Sequence, residues 1–261
     1  MLKNTKKIEP YSVLAEVYDD VMANVDYTLW ADFIDEIIQR HHPEADLLLE
    51  LACGTGSLTF ELEKHGYRMA GADKSPAMIE KARIKAVDLK SNARFSKSDF
   101  LDIQLNNKFD AIVSIFDSVN YLLFEDELLE LFTQVKKVMK KEALFIFDFT
   151  TPLNSFKSID FLNEQKGSTP NGYHYFRKSW YDEEQRIHYN TFDIEELAAD
   201  NQTVLRRFNE KHKQRAYTLA QMLEVIKQTD LTVQAKYVEF EMRRANKKSK
   251  RVTMVLKKGN Q

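Results

Sequence analysis

Residues 46–59 read Asp46-Leu47-Leu48-Leu49-Glu50-Leu51-Ala52-Cys53-Gly54-Thr55-Gly56-Ser57-Leu58-Thr59, and they leave the chain few folds to choose from. The run 47–51 has the apolar character of a strand buried on both faces. Gly54 and Gly56 permit a tight turn and close backbone approach. A helical pattern follows through Leu58 and Leu62. Strand, glycine turn and helix in succession open an α/β sheet, and the turn leaves backbone N–H groups at a helix start, where an anionic group can sit.

Three ligand classes use such a turn. A phosphate-binding P-loop needs Lys-Ser/Thr after the second glycine, and Ser57-Leu58 does not supply it. A dinucleotide fingerprint wants Gly or Ala three residues after the second glycine, where this chain has Thr59. Glu50-Leu51-Ala52-Cys53-Gly54-Thr55-Gly56 resembles motif I of the class I S-adenosylmethionine (SAM) methyltransferases, with Ala52 where Gly is commoner. Ala adds only a methyl group there. A packing turn that holds no ligand is the plain alternative.

With 261 residues the chain fits one elaborated α/β domain or two small ones. A net charge of -2 gives no bulk attraction to nucleic acid. The single Cys53 can form neither an internal disulfide nor a multi-cysteine metal site, which fits a reducing, cytoplasmic setting. Residues 1–7 lack the apolar core of a signal peptide, and no apolar run reaches membrane-spanning length. No His-Glu-x-x-His or Cys/His cluster suggests a metal.

Two N-terminal helices are expected, over 11–22 and 28–40, with Trp30, Phe33, Ile34, Ile37 and Ile38 as the buried stripe of the second. Strands at 67–72, 94–97, 109–116 and 143–149 then alternate with helices, one of them opened by Ser75-Pro76. Three aromatic-rich strand-like runs follow over 173–215. The last of them is polar on both faces, so it faces water or a polar cavity. Thr218 to Gln221 is a capping box, and two more strands, 231–240 and 251–256, complete the sheet. The basic run between them, including Arg243, Arg244 and Arg251, reads as a solvated hairpin. The expected fold is α/β: a Rossmann-like, seven-stranded, mostly parallel sheet with helices on both faces, N-terminal lid helices and an inserted antiparallel sheet. The expected divisions are 1–151, 152–216 and 217–261.

The resemblance implies SAM as cofactor and assigns its pocket. The Gly54–Gly56 turn, with Ala52, would face the amino-acid end of SAM, and Glu50 would reach its amino group through water or the turn backbone. Asp73 ends the second strand at about the spacing of a ribose acid, with Lys74 beside it. Asp99 would accept from the adenine amino group, Phe100 N–H would donate to the ring, and Phe100 or Met78 would stack on the base. Asp117 and Ser118 would line the cofactor, with Asn120 or Tyr121 on the acceptor side. The run 115–122 lacks the Asn/Asp-Pro-Pro-Tyr/Phe motif of base-amine methyltransferases and resembles small-molecule N-methyltransferases, the sugar-amine type included. Tyr18 is similar in place to a lid tyrosine of that group, while Tyr11 reads as packing. His174 and His212 are the candidate proton acceptors, and His212 shares a strand face with Glu210 and Gln214.

The expected activity is methyl transfer to a small-molecule acceptor, an amine by preference, in a monomer or homodimer with no nucleic-acid or membrane partner. A tRNA or protein methyltransferase, or a SAM-binding module without transfer activity, are the alternatives.

Overall fold

The computed structural model describes residues 5–259. Residues 1–4 of the stretch read for a signal peptide lie outside the described residues. In chain order the elements are β1 (Lys6–Ile8), a 3-10 turn (Leu14–Glu16), α1 (Tyr18–Val21), α2 (Tyr27–His41), β2 (Leu47–Leu51), α3 (Ser57–Lys64), β3 (Arg68–Asp73), α4 (Pro76–Leu89), β4 (Arg94–Lys97) and β5 (Phe109–Ser114). After a second 3-10 turn (Ser118–Tyr121) come α5 (Glu125–Val138), β6 (Met139–Thr150), α6 (Pro152–Leu162), β7 (Lys166–Ser168), β8 (Tyr173–Asp182), β9 (Ile187–Leu197) and β10 (Val204–Arg215). The chain closes with α7 (Leu219–Lys227), β11 (Leu231–Val238), β12 (Glu241–Arg244) and β13 (Arg251–Lys258).

The main sheet runs β12-β11-β13-β6-β5-β2-β3-β4. Strands β4, β3, β2, β5 and β6 are parallel, while β13 is antiparallel to both β6 and β11. The expected seven strands are present, and the short edge strand β12 adds an eighth. Strand alternation divides the core into two layers. Phe145, Phe147 and Phe149 pack with α5 and α7 on one face, whereas Leu144 and Ile146 pack with α2 and α3 on the other. This two-sided burial is why β6 carries almost no polar residue in its second half.

The caps sit where the sequence places them. Ser75 Oγ accepts from Met78 N at 3.2 Å with Pro76 at the first helical position, and Thr218 and Gln221 cap each other at the start of α7.

A second sheet, β1-β10-β9-β8-β7, covers the carboxyl ends of the parallel strands. The three expected runs form its centre. The short β7 and β1 extend it, and β1 brings the N-terminal segment into the cover. Helix α6, which precedes it, has no clear amphipathic signature in the sequence.

The helix expected over 11–22 does not form as one piece. Tyr11 adopts φ 59°, and only a 3-10 turn and the four-residue α1 follow. A buried carboxylate explains the break. Glu210 of β10 accepts from Tyr11 N at 2.7 Å, Val13 N at 2.7 Å and Leu14 N at 2.8 Å, satisfying donors away from a helical ladder.

Candidate active site

The turn after β2 has the shape its glycines foretell. Gly56 has φ 83°, and a Cβ there would stand 2.9 Å from Phe95 Cζ, closer than real contacts allow. Gly54 has φ 54°, with the Tyr18 ring 3.5 Å from where its Cβ would be. Ala52 also lies in the left-handed region, at φ 56°. The departure from glycine therefore costs about 1–2 kcal/mol of backbone strain, beyond the added methyl group.

Acidic side chains surround this turn. Glu50 is 3% exposed beneath it and accepts from Thr59 Oγ1. Burial pushes its carboxyl up to about 8, against the opposing pull of the Thr59 bond. Asp73 ends β3 as expected, but its carboxylate already holds the turn together. Its Oδ2 accepts from Gly54 N at 2.9 Å and its Oδ1 from Ser75 N at 2.8 Å. Burial raises its pKa in spite of these bonds. Asp99 lies two residues beyond β4, half-buried. Burial works to raise its pKa, but its ion pair with the exposed Lys74 at 2.8 Å and the Leu101 N–H bring it below the ordinary value. Met78 is buried and Phe100 half-buried on the core. A glycine turn after β2, a carboxylate at the end of β3 and another after β4 thus succeed one another along the chain.

The loop after β5 carries the most strained backbone near the site. Phe116 and Asp117 have φ 60° and 50° in succession. Asp117 is held by a network that the sequence did not reveal. Arg251 Nη2 donates to Asp117 Oδ1 at 2.6 Å, Arg251 Nη1 donates to Asp148, and Asp117 N donates to Asp148 Oδ1 at 2.8 Å. Gln214 Nε2 donates to Asp117 Oδ2 at 2.5 Å. Arg251 thus leaves the solvated basic run in which it was expected and turns inward over the Trp30 ring, 5.7 Å from its centroid. Asp148 is fully buried, and burial pushes its carboxyl up to about 6, with Arg251 opposing. Ser118 Oγ donates to Ile115 O at 2.8 Å.

On the acceptor side Tyr121 OH lies 2.6 Å from Tyr11 OH and 3.0 Å from His212 Nδ1. Tyr11 also stands between Tyr18 and His212, its ring centroid 6.0 Å from the first and 4.8 Å from the second. Burial raises the pKa of all three tyrosines, so they are hydroxyl donors at neutral pH. His212 is 2% exposed, and its Nε2 has no hydrogen-bond partner among the described residues. Glu210 Oε2 is 3.4 Å from that nitrogen. Tyr11, read as packing, is a member of this cluster. Asn120, by contrast, is spent on structure, since it bridges Thr150 and Arg215 through three backbone bonds. His174 lies on the exposed surface, away from the cluster.

Two latches close the N-terminal segment over the turn. Asp19 accepts from Thr55 Oγ1 at 2.7 Å and pairs with Lys85 at 2.7 Å, while Glu16 pairs with Lys81 at 2.6 Å. Among the described residues no group of His, Cys, Asp and Glu is placed to hold a metal ion, and no helix is long and apolar enough to cross a membrane.

A family model described as a methyltransferase domain matches residues 48–142. YqeM of Bacillus subtilis, named as a methyltransferase, is 30% identical over 221 residues, covering 83% of this chain and 84% of its own length. A dTDP-3-amino-3,4,6-trideoxy-α-D-glucopyranose N,N-dimethyltransferase of Streptomyces venezuelae is 36% identical over 116 residues, covering 44% of this chain and 47% of that protein. A crystal structure of a SAM-dependent methyltransferase from Clostridium acetobutylicum superposes with a TM-score of 0.77 at 26% identity, covering 95% of this chain and 98% of its own.

Proposed function

The chain belongs to the class I SAM-dependent methyltransferase family, and we propose that it methylates the amine of a small molecule held under the inserted sheet. One observation carries this reading. The face of β10 over the site is closed from solvent, with Glu210 fully buried and His212 2% exposed beneath the N-terminal segment. A covered face of this kind suits a small acceptor better than a folded macromolecule, which needs an open groove. The similarity to an amino-sugar N,N-dimethyltransferase supports an amine as the nucleophile.

Bound SAM supplies a methyl group made electrophilic by its positive sulfur. The residues of this chain would hold it, with the Gly54–Gly56 turn and Glu50 at the amino-acid end, Asp73 at the ribose and Asp99 at the adenine. Catalysis is then chiefly alignment of the acceptor nitrogen with the methyl carbon at about 3 Å. An amine that arrives protonated must lose its proton before it can attack. His212 would take that proton on Nε2, which makes no hydrogen bond among the described residues, and Tyr121 on Nδ1 fixes the ring. Tyr18, against Gly54, excludes water from the reacting centre.

The test is SAM binding by calorimetry followed by transfer of labelled methyl to a cell extract. Label in the dialysable fraction is the expected result. Label confined to nucleic acid or protein overturns the small-molecule reading.

A further inference from the structure

The inner face of the inserted sheet is a grid of polar side chains, set by strand register. Ser179, Asn190 and His212 form one row across β8, β9 and β10, and Arg177, Phe192 and Glu210 form the next. Arg177 has no carboxylate within ion-pair distance among the described residues. Its partners are neutral amides instead. Nε and Nη2 donate to Asn190 Oδ1 at 2.9 and 2.7 Å, and Nη1 to Gln165 Oε1 at 3.3 Å. Its guanidinium also lies over Phe192, 5.3 Å from the ring centroid. These bonds use three of the five N–H groups of a guanidinium and leave two. Burial pulls its pKa below the usual arginine value. A half-buried cation held by amides and an aromatic face has its geometry fixed and no carboxylate paired with it.

The same face holds His212, whose Nε2 makes no hydrogen bond among the described residues, one row along and two strands away, a span of about 12 Å between backbones. Asn190 pairs with His212 across the strands and binds Arg177 through its side chain, so it links the two groups. We propose that Arg177 is the anion anchor of the acceptor site. Resting on the methyltransferase reading above, this makes the acceptor a small amine that also carries a phosphate or carboxylate. The anion binds the two free N–H groups of Arg177, and that contact delivers the amine to His212 and the methyl group. Phe192, between Arg177 and Glu210 in the register, is buried with the guanidinium over its ring and the His212 ring 5.5 Å away, so it holds both groups in place.

The test uses the full-length protein with S-adenosylhomocysteine present. Inorganic phosphate and acetate are titrated against wild type, Arg177→Gln and Arg177→Lys, and SAM affinity is measured in each as a check on folding. Wild type binds at least one of the two anions. Arg177→Gln weakens that binding by about tenfold or more, Arg177→Lys restores part of it, and SAM affinity stays level. The anion that binds tells a phosphate-bearing acceptor from a carboxylate-bearing one. Absence of anion binding by wild type, or equal binding by Arg177→Gln, overturns the proposal. Mass spectrometry of the dialysable labelled product gives a second reading. A phosphate or carboxylate on it supports the anchor, and a product with neither overturns it. If no label is transferred, the methylation reading fails on its own, and the anion titration still decides the role of Arg177.

Discussion

Tyr121 OH stands 3.0 Å from His212 Nδ1, and this one contact decides what the imidazole can do. When Nδ1 carries the proton and donates to Tyr121, Nε2 keeps its lone pair, makes no hydrogen bond among the described residues and has Glu210 Oε2 3.4 Å away. Tyr121 can in turn donate to Tyr11, 2.6 Å away, so the imidazole is tied through two hydroxyls to the N-terminal segment.

His212→Ala should leave SAM affinity near wild type and lower turnover by about 100-fold or more, the usual scale for a general base. Tyr121→Phe should cost less, since the ring of His212 keeps its packing against Tyr11 and Phe192. Steady-state kinetics with a calorimetric SAM titration would separate the two effects. Wild-type turnover in His212→Ala would remove it from the mechanism.

Glu210 pins the lid. Three backbone N–H groups, from Tyr11, Val13 and Leu14, end on its buried carboxylate. Glu210→Ala strands all three, at about 1–3 kcal/mol for each donor that water cannot reach. The segment 11–22 should then open, so its amides exchange faster while those of β5 and β6 do not change. Exchange protection equal to wild type over 11–22 would mean that the Asp19 and Glu16 latches suffice alone.

The parallel core was legible because β2, β5 and β6 announce double-sided burial by their apolar runs, and Ser75 and Thr218 by their caps. The run 203–215 was legible only as a choice. Polar residues on both faces imply water or a polar cavity, and burial of Glu210 and His212 beneath the N-terminal segment rules out open water on that face. Arg251 could not be read at all, because its partners Asp117 and Asp148 are far away in sequence and the lysines around it resemble a solvated run. The helix expected over 11–22 failed for a related reason. Helical spacing suggested a packed face, whereas the carboxylate that breaks the helix comes from residue 210.

Asp73 holds the glycine turn together. Because Gly54 N and Ser75 N both donate to it, Asp73→Ala should lower stability as well as weaken SAM binding, by about 1.5–3 kcal/mol for a charged acceptor. Asp73→Asn, which keeps an acceptor oxygen, should retain more stability and still bind SAM less tightly. Chemical denaturation of the two variants, paired with SAM titrations, checks this. Equal stability of Asp73→Ala and wild type would show that the turn holds itself.

Arg251 bridges Asp117 to the fully buried Asp148, so the pair should be stronger as a unit than in halves. Arg251→Met leaves a buried carboxylate without its cation and should cost about 3–5 kcal/mol. Adding Asp148→Asn to that variant should recover part of the loss. A double-mutant cycle measured by denaturation gives the coupling directly, and simple additivity of the two changes would contradict a buried pair.

Glu50 makes the protein's stability and its hold on SAM depend on pH in opposite senses. Its folded pKa of about 8 lies above the ordinary value near 4.3, through burial, so the native state keeps a proton that the unfolded chain has released. Between about pH 4.5 and 8 the stability it contributes is therefore lost as pH rises. Glu50→Gln should be more stable than wild type at the alkaline end, with the gap closing towards pH 4.5. The ammonium of SAM favours the ionised carboxylate, so binding should release a proton from Glu50 near pH 7, and affinity should rise with pH up to about 8. Calorimetry in buffers of different ionisation enthalpy reads that proton. A heat independent of buffer in wild type, or a buffer dependence that survives in Glu50→Gln, would remove Glu50 from the cofactor's amino end.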